Sequence, residues 1–403
     1  MTPARDRKLR ILMVAPTSFF ADYGCHVRIL EETRALQSRG HEVLICTYHN
    51  GNDVEGIPTH RTIDIPWRKR VVVGSSKHKL YLDAMLSFEV LRAIRRFKPD
   101  LIHAHLHEGA LIGGMAGLLT RRPVVFDYQG SLTEEMLDHG FMRHDGKREW
   151  AMRRLERTIE WFPHLVITSS DNARCRLASS GYPDEKIMTV FDAVDTNRFS
   201  PTVMSPEERA SLREELGIRP DQQVVGYLGL LAPYQGSDLL MEAARRIIEQ
   251  RPETFFLIMG FPGNEDYHAE AVRTGIGGNT SFPGRISYRE AHRYLALADV
   301  AVAPKMSLTE GNGKLYNYMS MGLPVVAFDA PANREILGDE GIYAEHGNVD
   351  QLTQHLLWCL ENPESAREVG CQLRRRAVDH LSWDARIEEL LDVYDRLMLE
   401  TTP

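Results

Sequence analysis

Few features that mark special classes of protein occur in this 403-residue chain. No run approaches the roughly 18 consecutive apolar residues of a membrane-spanning helix. The five cysteines, Cys25, Cys46, Cys175, Cys359 and Cys371, are odd in number and scattered, with no C-x-x-C pair. That spacing argues for reduced thiols and against a disulfide or zinc framework. Neither G-x-G-x-x-G nor G-x-x-x-x-G-K-[ST] is present, which disfavours a nicotinamide or flavin dehydrogenase and a Walker-type phosphate loop. There is no short-period repeat and no low-complexity segment. The opening stretch MTPARDRKLR runs directly into a strand pattern without an apolar signal region, which predicts a cytoplasmic protein. Basic charge is also scarce where a nucleic-acid binder would gather it. Residues 1–198 carry 29 Lys and Arg against 25 Asp and Glu, and the remainder 19 against 31. No nucleic-acid partner is expected from such a balance.

What is present is an alternation. Strand patterns over Leu9–Pro16, Glu42–Tyr48, Leu101–His107, Val124–Tyr128, Leu165–Ser169 and Ile187–Phe191 are separated by helical patterns such as His26–Arg39, Lys77–Lys98, Gly109–Leu119 and Lys147–Phe162. Continuous apolar strands between amphipathic helices predict a parallel sheet covered on both faces. The alternation restarts with Val224–Leu230, Thr254–Met259, Val300–Pro304, Pro324–Phe328 and Gly341–Ala344, after a Pro-, Ser- and charge-rich stretch, Ser200–Asp221, that reads as a linker. The predicted fold class is α/β, with two doubly wound, Rossmann-like domains facing a cleft. Residues 1–198 form the first domain and 199–381 the second, with 382–403 a helix returning to the first. Ligands of such sheets sit outside the carboxyl ends of the strands, so residues just after a strand carry the chemistry.

After the first strand, Tyr23 and Gly24 precede a helix, where glycine permits close approach of a ligand. His103, His105 and His107 alternate, so on one strand all three would share a face. Three imidazoles suit zinc, but a strand covered on both faces gives a metal no open side, so no metal is expected and His107 is placed nearest the cleft. Asp127 and Gln129 share a face at the end of the next strand, where Asp127 either takes part in acid–base work or caps a helix. In the second half, Lys305 follows a strand and the loop Glu310-Gly311-Asn312-Gly313-Lys314-Leu315 opens a helix. Free N–H groups of the Asn312–Leu315 turn, together with Lys314, predict a diphosphate cradle.

Gly322-Leu323-Pro324-Val325-Val326-Ala327, behind that Glu-Gly-Asn-Gly loop, resembles the nucleotide-sugar site of GT-B glycosyltransferases of family 4. The resemblance extends along the chain through Gly40-His41-Glu42-Val43, Asp192-Ala193-Val194-Asp195, Phe199-Ser200-Pro201, Gly226-Tyr227-Leu228-Gly229 and Gln235-Gly236. It implies sugar transfer from a nucleotide-diphosphate donor with retention of configuration and no metal or other cofactor. The donor would lie mainly on the second domain and the acceptor on the first. Carried over residue by residue, it puts Glu310 at the donor sugar, Gly311 to Lys314 at the diphosphate, with Leu315 beside them, and Asn317 near the ribose. Gly229 and Gln235 also line the donor, and Arg285 and Ile286 lie at the base. Asp127 with Glu310 would serve the reacting centre, and Tyr23, Gly24, His107 and Gln129 the acceptor side. The sequence departs from the family at four places. Asn317 stands where the second glutamate falls, in a loop one residue shorter. Leu230 replaces an arginine, Gln235 a lysine, and Gln129 a histidine. Lys314 and Lys305 are expected to supply the missing positive charge.

Nine basic residues between Arg68 and Lys98, against Asp83 and Glu89, accompany Leu80, Leu82, Met85, Leu86, Phe88, Leu91 and Ile94. The stretch suits either a helix packed on the first sheet or a peripheral contact with anionic membrane at the inner face. The expected activity is transfer of a hexose-like sugar from a UDP- or GDP-sugar to a glycan or lipid-linked acceptor. The alternatives are a non-catalytic sugar-nucleotide-binding or partner protein on the same fold, and a nucleotide-sugar epimerase.

Overall fold

Short apolar, β-branched runs form the buried central strands of the first half, flanked by short half-buried ones: β1 (Arg10–Ala15), β2 (Glu42–Thr47), β3 (Thr59–Arg61), β4 (Leu101–His105), β5 (Val124–Tyr128), β6 (Leu165–Thr168) and β7 (Ile187–Thr189). In this computed structural model, which describes residues 7–21, 24–64, 79–138, 142, 146–308 and 311–401, they pair in parallel in the order β3-β2-β1-β4-β5-β6-β7. The intervening helices are α1 (Gly24–Ser38), α2 (Lys79–Phe97), α3 (Leu106–Thr120), α4 (Leu132–Asp138), α5 (Gly146–Glu160) and α6 (Asp171–Ser179). Helix α2 buries Leu82, Leu86, Val90, Ala93 and Ile94 in one core with Leu12 and Val14 of β1 and Ile102 of β4. Each such aliphatic side chain contributes about 1.5–3 kcal/mol when fully buried.

The second half begins with α7 (Pro206–Glu215), inside the stretch expected to be a linker. Ser205 accepts the Glu208 amide and Glu208 reaches back to the Ser205 amide, a capping box that starts the helix at Pro206. Then follow β8 (Gln223–Leu230), α8 (Ser237–Gln250), β9 (Thr254–Phe261), α9 (Asn264–Arg273), β10 (Thr280–Ser281), α10 (Ala291–Leu295), β11 (Val300–Ala303), α11 (Lys314–Ser320), β12 (Val325–Phe328), α12 (Pro331–Leu337), β13 (Ile342–Ala344), α13 (Val349–Glu361) and α14 (Pro363–His380). Their parallel sheet runs β10-β9-β8-β11-β12-β13. Leu240, Ala243, Ala244 and Ile247 recur at helical spacing and turn α8 onto it.

The last helix, α15 (Trp383–Thr401), belongs to the first unit, with residues up to Asp192 and Gly311. The second unit comprises Ala193–Leu308 and Asn312–Ser382. Among the described residues no helix is long and apolar enough to cross a membrane.

Gly236 sits between β8 and α8 with φ of 75°, and a Cβ there would overlap the Pro304 carbonyl oxygen. A left-handed alanine costs about 1–2 kcal/mol and overpacking a further 1–3. Gly236→Ala is therefore expected to lower the denaturant midpoint of unfolding by an amount equivalent to about 2–5 kcal/mol.

Candidate functional site

In the second sheet the chain order reverses between β8 and β11, and ligands of doubly wound sheets sit outside the carboxyl ends at that point. Three of the expected donor residues meet there. Lys314 opens α11, and its Nζ donates to Gln235 Oε1 at 3.1 Å and to the Tyr227 hydroxyl at 3.3 Å. It lies 4.4 Å from the centroid of the Tyr227 ring, a cation–π distance. Tyr227 is fully buried and donates onward to the Leu230 carbonyl at 2.7 Å. A Cβ at Gly229 would come within 2.7 Å of Lys314 Nζ, so the glycine leaves the ammonium its place.

The rest of the loop is more structural than expected. Leu315 is buried, and its amide donates to the Asn312 carbonyl at 3.0 Å, so it is not one of the free N–H groups of a cradle. Asn312 is buried as well, its Nδ2 donating to Asn333 Oδ1 at 2.9 Å while Asn333 holds the Phe328 carbonyl at 2.8 Å. Lys305 is buried, Asn317 half-buried, and Gly311 and Gly313 exposed. Arg285 stacks over Phe261 at 5.0 Å, beside a half-buried Ile286. Glu310 and Tyr23 lie outside the described residues.

In the first unit, Asp127 is not at an open mouth. It is fully buried, and both its oxygens face the Arg28 guanidinium, whose Nε lies at 2.9 and 3.2 Å. His105 Nδ1, at 2.9 Å, and Gln129 Nε2, at 2.8 Å, donate to the same carboxylate. A buried Asp enclosed by three donors is a member of the frame. Arg28 also binds Asp192 at 2.6 Å, the Val190 carbonyl at 3.2 Å, and Glu32 at 3.1 Å. Burial alone would neutralise Asp127, but Arg28 and His105 outweigh it and hold the carboxyl below its usual range. Glu32, with the same cation only on one side, is pushed well above its usual range by burial. Arg28, His26 and Glu32 were missed in the sequence. The one available signal was an Arg and a Glu at i,i+4 on a helix that otherwise packs inward.

The three histidines do not share a face. Strand β4 stops at His105, and Leu106 adopts a left-handed φ of 63° that turns the chain into α3. His103 and His105 stack with centroids 4.4 Å apart, and His103 Nδ1 shares a 2.8 Å hydrogen bond with Tyr394 of α15. His107, expected near the acceptor, is buried on the other side, edge-on to Phe126 and Tyr128 and facing Glu156 and Glu160. Gly24 is exposed at the start of α1, and the loop before it is held by His26, which accepts the Ala21 amide at 2.7 Å and bonds Thr17 Oγ1. Of the basic stretch, residues 65–78 lie outside the described residues. On α2, Leu82, Leu86 and Ile94 pack inward while Leu80 and Phe88 remain exposed.

Two parallel, doubly wound sheets, one with a lysine at its switch point, place the chain among two-domain α/β proteins. The Anabaena protein HepE in complex with UDP-glucose matches over 96% of this chain and 100% of its own, with a TM-score of 0.76 and 19% identity. Sucrose-phosphate synthase from Thermosynechococcus elongatus matches over 98% and 100%, with a TM-score of 0.79 and 18% identity. The fold is that of the GT-B glycosyltransferases. Residues 24–198 match the model for glycosyltransferase family 4, and residues 208–376 that for glycosyl transferases group 1. The GDP-mannose-dependent alpha-(1-6)-phosphatidylinositol monomannoside mannosyltransferase of Mycolicibacterium smegmatis is 30% identical over 264 residues, 62% of this chain and 68% of that protein. The monoacylated-substrate counterpart from Corynebacterium glutamicum is 28% identical over 207 residues, 50% of this chain and 54% of that one. The chain belongs to the group 1 glycosyltransferase family.

Asp127→Asn would leave the buried Arg28 without its two-oxygen partner, and such breaks cost about 3–5 kcal/mol. A carboxyl whose folded pKa is depressed contributes stability that is present above its unfolded value, about 3.9, and lost as pH falls through the folded value. Unfolding titrations are expected to show the wild type losing stability below about pH 4 more steeply than Asp127→Asn, which starts lower at neutral pH.

Proposed function

We propose that this chain moves a hexose-like sugar from a UDP- or GDP-sugar to a glycan or lipid-linked acceptor, with retention of configuration and without a metal in the reaction. The observation that carries the reading is the grouping of Lys314, Gln235 and Gly229 at the switch point of the second sheet. A nucleoside-diphosphate leaving group gains negative charge as the glycosidic bond breaks, and a cation already held in place lowers that barrier most. Tyr227 and Gln235 fix the Lys314 ammonium from neutral acceptor atoms, which offsets the arginine and lysine that the family carries elsewhere. In this reading Glu310 faces the donor sugar, Asn317 the ribose, and Arg285 with Ile286 the base. Tyr23, Gly24 and Gln129 lie on the acceptor side, Asp127 positions the frame, and the leaving phosphate accepts the acceptor's proton.

Relatives named for GDP-mannose and a neighbour bound to UDP-glucose set the order of a thermal-shift panel of sugar nucleotides, with and without magnesium. One donor at 100 times its dissociation constant is expected to stabilise the protein by about 2.7 kcal/mol, equally in either condition. Lys314→Ala is expected to lose that shift and to lower kcat/KM on the order of 100-fold. Silence across the panel, or an unchanged Lys314→Ala enzyme, overturns the reading.

A lipid-linked acceptor is supported by α2, where Leu80 and Phe88 are 79% and 65% exposed on the helix that carries Arg92, Arg95 and Arg96. Sedimentation with anionic vesicles is expected to recover the protein at low salt and release it at high salt.

A further inference from the structure

We propose that His107, Glu156 and Glu160 form a binding site for a divalent transition-metal cation of the zinc class, separate from the sugar-transfer chemistry. His107 is the second residue of α3, and the two glutamates lie one turn apart on the same side of α5. All three are at least 95% buried. His107 Nε2 lies 3.4 Å from Glu156 Oε1 and 3.7 Å from Glu160 Oε1, and has no hydrogen-bond partner among the described residues. Bonds of about 2.0–2.2 Å to nitrogen and oxygen in a tetrahedral site put neighbouring ligand atoms about 3.4 Å apart. Both separations from the imidazole are near that value, and the three ligand atoms all lie within 4.8 Å of one another. Burial lowers the proton affinity of His107 and the two glutamates more than restore it, so a dication would bind in exchange for the ring proton, leaving two carboxylates and a neutral imidazole whose two negative charges match it.

The surroundings fit the same occupant. Glu156 is oriented from behind, its Oε1 accepting the Leu132 amide at 2.9 Å and its Oε2 the Thr133 hydroxyl at 2.5 Å, as ligating carboxylates commonly are. Glu156 and Glu160 also line a cavity of about 430 Å³ with Tyr128, Arg153, Arg157, Cys175 and Arg176. The bound ion would clip α3 to α5.

A second cluster, Glu32, His103, His105 and Asp127, gathers ligand types just as closely and does not qualify. Arg28 is ion-paired directly with both of its carboxylates, at 3.1 Å from Glu32 and 2.9 Å from Asp127. His105 Nδ1 is in addition committed to Asp127 at 2.9 Å and His103 Nδ1 to the Tyr394 hydroxyl at 2.8 Å.

The site does not depend on the proposed transferase activity, and its test uses none. The full-length protein, stripped with a chelator and dialysed, is titrated with zinc and with cobalt(II). One equivalent is expected to bind, to raise the melting temperature, and for cobalt to give the visible absorption bands of a tetrahedral site. Glu160→Gln is expected to abolish the stoichiometric equivalent while keeping the wild-type circular dichroism. Thr133→Val, which leaves every ligand in place, is expected to weaken binding about 10–100-fold. Absence of stoichiometric binding overturns the proposal, as does full binding by Glu160→Gln. So does a His107 ring that NMR shows doubly protonated at neutral pH in excess zinc, since an imidazolium ion-paired to the carboxylates would then stand in the place of the metal. Should Glu160→Gln fail to fold, Thr133→Val and the wild-type titration decide the matter.

Discussion

One buried guanidinium organises the first unit. Arg28 leaves α1 and reaches the end of β5 through Asp127, the segment after β7 through the Val190 carbonyl and Asp192, and its own helix through Glu32. A charge out of water is tolerable only when its donors are all met, so the positions of these elements are mutually dependent. Asp127 passes the constraint on to His105 and Gln129, and the histidine stack passes it to Tyr394 on α15. The last helix of the chain is thus bound to the first sheet by polar contact as well as by its apolar face, which buries Leu390, Leu391 and Leu397.

The second unit relies on a different economy of charge. Its switch point holds a single ammonium between a tyrosine, a glutamine and a glycine. Leu230 and Gln235 occupy positions where basic residues occur in the resembling family, and Lys314 arrives from the other side of the same junction. Asn312, Asn333 and the Phe328 carbonyl pin the loop so that the lysine enters from a fixed base.

Much of the fold was legible because a strand buried on both faces has to be continuously apolar. The reading of Val124–Tyr128 agrees with β5 to the residue, and most other strands differ only at their ends. The three-residue β3 and two-residue β10 left no usable pattern. The stretch read as a linker contains α7, whose Ser205–Glu208 capping box was present in the sequence and went unused. In the site, Lys314, Gln235 and Gly229 were found through the loop and the family resemblance, and the structure brings them together. Asp127 was found and given the wrong surroundings, since a residue at a strand's end can face solvent or core and nothing local distinguishes the two. His107 was misplaced for a related reason: alternation assumes that the strand continues, and the left-handed turn at Leu106 ends it.

The amino-acid order alone settled the alternation of strands and helices, the two-part organisation and the loop that carries Lys314, because periodicity and local turn chemistry act over a few residues. Tertiary structure decided which ionisable groups are consumed by one another. Arg28 meets Asp127 across 99 residues of chain, and His107 meets Glu156 across 49. Whether a carboxylate is a free reagent, a frame member or a ligand depends on its burial and partners, and pairing over such separations appears only when the sheet brings the strands side by side.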